Sequence, residues 1–520
     1  MSRDRKKFHD REFCDYTNIG KNTGLSVILW LYLFIQTYSN MFSIKLISTI
    51  LLVAAAFQGS PARVEKMIDR KADALKKDIL RAKDIKEFQG KVYYVSASDG
   101  DDSRDGLSPE NAICSIDRIC GLQLERGDAV LFKRGDTFRG HVRTRAGVTY
   151  AAYGRGEKPR IYGSPCNAAR EGSWARTGKE NVWVYSMSIS NDVGTLVLDD
   201  AQAAFKVMMV RHDDGSTTHI DTGAPFAGYM DLERDLDFYH DYKGTGLIYL
   251  CSRENPAERF HSIELLEKGH VFYATNDVRI DNLTIMYCGS HGIGSGTTTS
   301  LEVTNCVLGW IGGSIQGEAL FGRNHPTRYG NAIEVYGGCD HFLVDHCWIY
   351  QAYDAGITHQ YGGPKDVVQK DITYSNNLVE DCVYAIEYFL GKGESDSAPR
   401  HMENVLIEGN VLRRAGYGWG RQRPDKETPA IIKSWRHWDK ASGFIMRNNI
   451  FDRSTHYLLN ISAGEAGWMP AFEGNTYVQE KGAQGCLTGM VVRSYPFDED
   501  FPAAISEIFG EKKGRFLPLQ

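Results

Sequence analysis

From Asp277 onward, short runs that alternate apolar and polar residues recur along the chain, each broken by a polar turn. The segments "VRIDNLTI", "LEVTNCVL", "FLVDHCWI", "ITYSNNLV", "VLIEGNVL", "FIMRNNIF" and "AFEGNTYV" align with one another. One aligned position falls at Leu283, Cys306, Cys347, Asn377, Asn410, Asn449 and Asn475, at intervals of 23, 41, 30, 33, 39 and 26 residues. Repeats of this size with unequal insertions mark a solenoid. Each unit carries a short strand, a polar turn and a second short strand, and no unit has room for a long helix. The pattern therefore predicts an all-β chain built as a right-handed parallel β-helix. Asparagines stacked at one turn would form an internal ladder, satisfying backbone groups where the strand bends. The thiols of Cys306 and Cys347 fit the same slot.

About nine or ten residues after each ladder position comes a further strand: "HGIG", "GNAIEVYG", "DAGITHQ", "YAIEYFLG", "PAIIKSW" (or "GYGWG" in its place) and "HYLLNIS". Side chains alternate across a strand, so inward Ile333, Ile357, Ile386 and Ile432 put their successors outward. One outward column then reads Glu334, Thr358, Glu387, Lys433, and a second reads Tyr336, Gln360, Phe389, Trp435. The acids are expected on an outer face beside aromatics, outside the core. Two strand spacings separate Glu334 from Glu387, roughly 9.5 Å between backbones. Asp354, at the turn before "AGITHQ", is a third acid able to pair with either. His359 is inward by strict alternation and joins this face only if the strand bends after Gly356.

Upstream, Val64, Met67, Ile68, Leu75 and Ile79 recur at helical spacing between charges and predict an amphipathic helix within 61–90, packing on or capping the strands downstream of it. Short strands separated by Gly and Asp turns begin at Val92, and 91–170 reads as the first part of the solenoid. Residues 171–275, with "ENVWVYSMSI", "GTLVLDD", "AFKVMMV" and "GLIYLCS", read as an antiparallel β-subdomain. The coils occupy 276–490, and 491–520 is a C-terminal cap or tail. Two apolar stretches precede all of these elements, Leu25–Ile35 and Met41–Ala62. The second has a lysine, an apolar run and small residues before a polar break, the order of a secretory signal peptide, with a membrane anchor as the alternative. Met41 would then be the true start, and the protein would be secreted or periplasmic.

Composition adds exclusions. Sixty basic and 66 acidic residues leave a net charge of −6, with no electrostatic footprint for nucleic acid. Fifty-three glycines and 11% aromatics suit a turn-rich β protein. The eleven cysteines are irregularly spaced without a CxxC pair, which argues against zinc and against a disulfide framework. The acidic loop Asp99–Asp105 has the composition of a calcium loop but reads as a solvated turn, so no metal or other cofactor is expected.

Paired carboxylates in an extended groove suit glycoside hydrolysis, one protonating the leaving oxygen and the other activating water or attacking carbon. The catalytic candidates are Glu334, Glu387 and Asp354. The substrate-binding candidates are His359, Lys433, Tyr336, Gln360, Trp419, Arg421 and Trp435. Long loops on one flank of a solenoid build its binding face. The loop "GYGWGRQRPDKETPA" supplies Trp419 and Tyr417 for stacking on sugar rings, with Arg421 and Arg423 for forked contacts to anionic groups.

The opening "YYVSASDGDDSRDGLSPENAICSI", the segment "GDAVLFKRGDTFRG" and the asparagine-bearing coils resemble the pectate-lyase-like superfamily of secreted right-handed β-helix proteins, over about residues 90–490. A β-subdomain ahead of coils with "GNAIEVYG" and "YDAGITHQ" is similar, more narrowly, to bacterial β-helix glycoside hydrolases. The resemblance implies an exported, monomeric carbohydrate-active enzyme acting on a poly- or oligosaccharide. The same superfamily holds lyases, which would act by β-elimination with Lys433, Arg421 or His359 as base, and non-catalytic glycan binders. The pectate lyases use clustered Asp residues on calcium with an Arg base, and no such set is legible on adjacent coils here.

Overall fold

Strands of the repeat wind into three stacked sheets, each gathering one strand per coil. In the computed structural model, residues 60–318, 320, 325–391, 400–423, 428–435, 440–488 and 493–520 are described. The apolar N-terminal segments, and with them the signal-peptide reading and the alternative start at Met41, lie outside the described residues. Among the described residues no helix is long and apolar enough to cross a membrane.

From Val64 onward the chain forms one unit, a right-handed parallel β-helix. Taking the fifth complete coil as an example, Phe342–Asp345 lies in sheet A, Trp348–Ala352 in sheet B and Ala355–Tyr361 in sheet C. Each sheet has ten strands among the described residues. Pairing is parallel and in register, with the final sheet-C strand, Arg493–Pro496, turning back antiparallel. Inward residues fill the cylinder. On sheet C they are Phe272, Ile293, Ile333, Ile357, Ile386, Ile432, Leu459 and Cys486, all fully buried.

The predicted asparagine ladder occupies the corner between sheets A and B. The backbone N–H of Cys347 donates to Asn377 Oδ1 (2.9 Å), that of Asn377 to Asn410, that of Asn410 to Asn449, and that of Asn449 to Asn475. Each amide nitrogen donates to a carbonyl of the coil before, as Asn410 Nδ2 does to Tyr374 O (2.9 Å). Glu511 ends the ladder by accepting from the Asn475 backbone and side chain. The residue preceding each rung is left-handed, with φ of 50–69°, at Asn282, Asn305, His346, Asn376, Gly409, Asn448 and Gly474. Asn and Gly tolerate that region best, which explains the "NN" and "GN" dipeptides of the repeat.

The helix Pro61–Leu80 forms as predicted, and it lies along the outer face of sheet B. Val64, Ile68 and Ala72 pack on Leu378, Val411, Ile450, Val478 and Leu519. Arg453–Glu65, Arg413–Asp69 and Lys76–Glu380 pairs flank them, at 2.6, 2.6 and 2.7 Å. The helix from Val64 rises about 25 Å, and the five strand spacings from Trp348 to Leu519 span about 24 Å. It straps the coils together lengthwise.

The β-subdomain is inserted between the sheet-B strand Arg160–Tyr162 and the sheet-C strand Phe272–Ala274. It is a five-stranded and a three-stranded sheet around Trp183, Leu196, Phe238, Leu250 and Leu265, with a two-stranded hairpin of Met209–Arg211 and Thr217–His219. Its pairing is antiparallel except for Phe205–Lys206, which runs parallel to Asp237–Phe238. Beyond the coils, the helix Phe501–Phe509 is followed by Arg515–Leu519, which returns to sheet B beside Thr476–Glu480. The acidic loop near Asp99 is held by local hydrogen bonds. Asp102 accepts from the Cys114 and Ser115 N–H groups, and Asp101 from that of Ser103. The ten described cysteines form no disulfide, and seven are buried.

Candidate active site

Three long insertions enter the coils at the corner between sheets B and C. The β-subdomain, residues 312–332 and residues 416–429 all leave a sheet-B strand and rejoin a sheet-C strand. From the last of them Arg423 reaches the outer face of sheet C, where the candidate acids stand. Register places Glu334 beside Thr358, Thr358 beside Glu387, and Glu387 beside Lys433, the outward column read from alternation.

The acids face outward, but they are not solvated. Glu334, Glu387 and Asp354 are only 7%, 4% and 8% exposed. Neighbouring side chains, with Arg423 from a corner loop, cover the carboxylates outside the cylinder. Desolvation disfavours a charged carboxylate, and the three acids meet it differently.

Glu334 sits among donors. Asn331 Nδ2 and Gln360 Nε2 each donate to Oε2 at 2.6 Å, and His291 Nε2 lies 3.3 Å from Oε1. Burial pushes its carboxyl up to about 7, and the Asn331 and Gln360 donors oppose that rise. Glu387 receives a hydrogen bond from the Trp435 indole. Burial and the nearby charge of Asp354 drive its carboxyl well above the ordinary range, against the opposing pull of Trp435, Arg423 and Lys433. Asp354 is ion-paired with Arg423 at 2.6 Å. Arg423 comes from the 416–429 insertion, so this corner loop holds a charge that acts on Glu387.

The remaining candidates divide. Gln360 belongs to the cluster through Glu334. Trp435 is half-buried and joins it through Glu387, and Lys433 Nζ lies 4.2 Å from the centre of the Trp435 ring. Tyr336 stands on the same face, 42% exposed, and its hydroxyl accepts the Gly362 N–H at 3.3 Å. Arg421 is exposed on its loop. His359 and Trp419 are corrections. His359 is fully buried inside the cylinder, with Nδ1 2.8 Å from the Tyr374 hydroxyl and its ring stacked on Tyr388. The strand does not bend after Gly356, so strict alternation wins, and burial holds the imidazole down at about 3. Trp419 packs under its own loop. Its Nε1 donates to Gln351 O at 2.8 Å, and its ring lies against Tyr353 and over Gly313, where a Cβ would collide with it. It braces the insertion and offers no stacking face.

Asn331, His291 and His270 escaped the reading of single strands. A signal was present: "SHGIG" and "GNAIE" align His291 with Asn331, each two residues before an inward isoleucine.

Residues 268–419 match the family model described as right handed beta helix region. No curated protein sequence matches the chain. Among solved structures it is similar to the complex of XylC with xylose, at 13% identity over 78% of this chain and 74% of that one, with a TM-score of 0.45. It is similar to the GH136 lacto-N-biosidase from Eubacterium ramulus at 12% identity, covering 75% of this chain and 64% of that one, with a TM-score of 0.30. The family 28 exopolygalacturonase of Yersinia enterocolitica matches at 11% identity over 83% and 79%, with a TM-score of 0.31.

Proposed function

We propose that the protein is an exported glycoside hydrolase that cleaves a poly- or oligosaccharide, as a monomer, along the outer face of sheet C. The observation that carries this reading is the division of labour between two desolvated glutamates two coils apart. Glu387 is driven toward its protonated form by burial and by the Asp354 charge, which suits a general acid. Glu334 is surrounded by donors that favour its carboxylate, which suits a base. The two roles require a pH at which Glu334 is ionised while Glu387 keeps its proton; burial raises both carboxyls, and the Asp354 charge adds to the rise at Glu387.

In the proposed reaction Glu387 protonates the glycosidic oxygen as the bond to the anomeric carbon breaks. Glu334 takes a proton from a water that attacks that carbon from the opposite face. Two strand spacings, about 9.5 Å between backbones, leave room for that water and point to inversion of the anomeric centre. Asp354 and Arg423 act through Glu387. Trp435, Lys433, Gln360 and Tyr336 form the walls available to the sugar.

Incubation with a panel of neutral and uronate-bearing glycans tests the reading. Hydrolysis predicts new reducing ends without the ultraviolet absorbance of an unsaturated uronate. Reducing ends with that absorbance would make the protein a lyase, and binding without new ends would make it a glycan-binding solenoid.

A further inference from the structure

A second side-chain ladder climbs the corner between sheets B and C, and it is built partly of histidine. The His291 backbone N–H donates to His270 Nδ1 (3.1 Å), the Asn331 N–H to His291 Nδ1 (3.0 Å), and the Ala355 N–H to Asn331 Oδ1 (2.9 Å). The three rungs occupy one register position, two residues before the inward Phe272, Ile293 and Ile333. They do for this bend what the asparagines do for the other. The difference lies at the far end of each side chain. An imidazole that accepts at Nδ1 and is neutral must carry its proton on Nε2. Asn331, accepting at Oδ1, turns its Nδ2 outward in the same way.

Two of those far ends converge on Glu334. His291 Nε2 faces Glu334 Oε1 at 3.3 Å, and Asn331 Nδ2 donates to Glu334 Oε2. His270 is half-buried and lies where residue 294 would otherwise place a side chain. A Cβ at Gly294 would sit 3.1 Å from its Nε2, and Gly294 pairs with Glu334 in register. The glycine thus leaves the outward column to the His270 imidazole, one coil from Glu334. Burial keeps both rings neutral, at about 3 for His270 and about 4 for His291.

Building on the hydrolase reading, we infer that this ladder locks His270 and His291 as Nε2–H tautomers, with His291 positioning Glu334 and His270 presenting its N–H to a hydroxyl or ring oxygen of the bound sugar. A neutral donor is suited to both tasks. It stabilises the developing charge relations around Glu334 without neutralising the base, and it recognises a sugar oxygen without demanding a charged substrate.

Long-range proton–nitrogen NMR correlation on imidazole-labelled protein tests the lock without any substrate. Both rings should show the Nε2–H neutral pattern from mildly acidic to mildly alkaline buffer. An Nδ1–H tautomer or an imidazolium at either position overturns the inference, whether or not the protein cleaves glycans. The positioning role is read in His291→Asn, which keeps an acceptor for the Asn331 N–H but is too short to reach Glu334. Carboxyl-carbon NMR should show Glu334 titrating at higher pH in this variant, while the melting temperature stays near the parent's. An unmoved Glu334 with an intact fold would reduce His291 to a structural rung. For His270→Asn, on the panel oligosaccharide that the parent cleaves, KM should rise about tenfold with kcat largely kept, the loss of one hydrogen bond. Unchanged KM would remove His270 from the binding face. A panel with no cleavage would sink the hydrolase reading while the tautomer result still decides the ladder.

Discussion

The two corners of the β-helix solve one problem with different chemistry. At both, a strand bends and leaves a backbone N–H without its sheet partner. Between sheets A and B the solution is uniform: Asn377, Asn410, Asn449 and Asn475 stack in succession, and both ends of every amide are spent on backbone. Between sheets B and C the rungs are His270, His291 and Asn331, and only one end of each is spent on backbone. The other ends of His291 and Asn331 reach Glu334. The β-subdomain and two further long insertions enter at this second corner. A closed ladder contributes rigidity, whereas a half-open one leaves polar groups, fixed by the backbone, for chemistry on the adjacent face.

If that division is right, the largest effects on activity come from the second corner's acids. Glu387→Gln and Glu334→Gln should each lower turnover by on the order of 10²–10⁴-fold, measured on a cleaved panel glycan. The fold should survive, because glutamine keeps the volume. Glu387→Gln should also melt higher than the parent near neutral pH, since it removes a carboxyl that burial and Asp354 disfavour as an anion.

The first corner should behave in the opposite way. Asn410→Ala strips the acceptor from the buried Asn377 N–H and the donor from Tyr374 O. Loss of about 2–4 kcal/mol in stability is expected, since each unsatisfied buried group costs about 1–3 kcal/mol, read by denaturant unfolding. Turnover per folded molecule should stay near the parent's. A loss of turnover without a loss of stability would erase the contrast between the corners.

A smaller effect sharpens the account of Glu334. Its carboxyl is raised in the folded protein from 4.5 to about 7. A raised carboxyl gives stability that is complete below the unfolded value and lost as pH climbs through the folded one. Unfolding free energy should therefore fall by on the order of 3 kcal/mol from this group between about pH 4.5 and 7, and Glu334→Gln should flatten that decline. The smallest effect lies on the helical strap. Glu65→Gln breaks a partly exposed ion pair with Arg453 and should cost at most about 1 kcal/mol.

Legibility in the sequence tracks the range of the interactions behind each feature. The solenoid, the asparagine ladder and the Glu334–Glu387 column rest on period and alternation, which are local and repeat, so the register came out directly. The strap helix was legible as a helix, but not its seat on sheet B, because an amphipathic face does not say which apolar surface it covers. Burial of the acids is not legible from alternation, because it comes from neighbouring coils and an insertion: Gln360 and His291 meet Glu334, and Arg423 reaches Asp354 across 69 residues. Trp419 was misread for the same reason: an aromatic in a loop looks alike whether it packs or stacks. Where His359 points turns on whether the strand bends after Gly356. The structure answers it with a regular strand and an inward ring stacked on Tyr388.

The proposed acid and base can be separated without knowing the sugar. Carboxyl-carbon NMR titration of the intact protein, with Glu334→Gln and Glu387→Gln used for assignment, reads both groups in one experiment. Glu334 should titrate near pH 7 and Glu387 well above the ordinary glutamate range, and the proposed roles require Glu387 to be the later of the two to lose its proton. Two ordinary glutamates titrating together near 4.5, or Glu387 losing its proton before Glu334, would contradict the division of roles on which the hydrolytic reading stands.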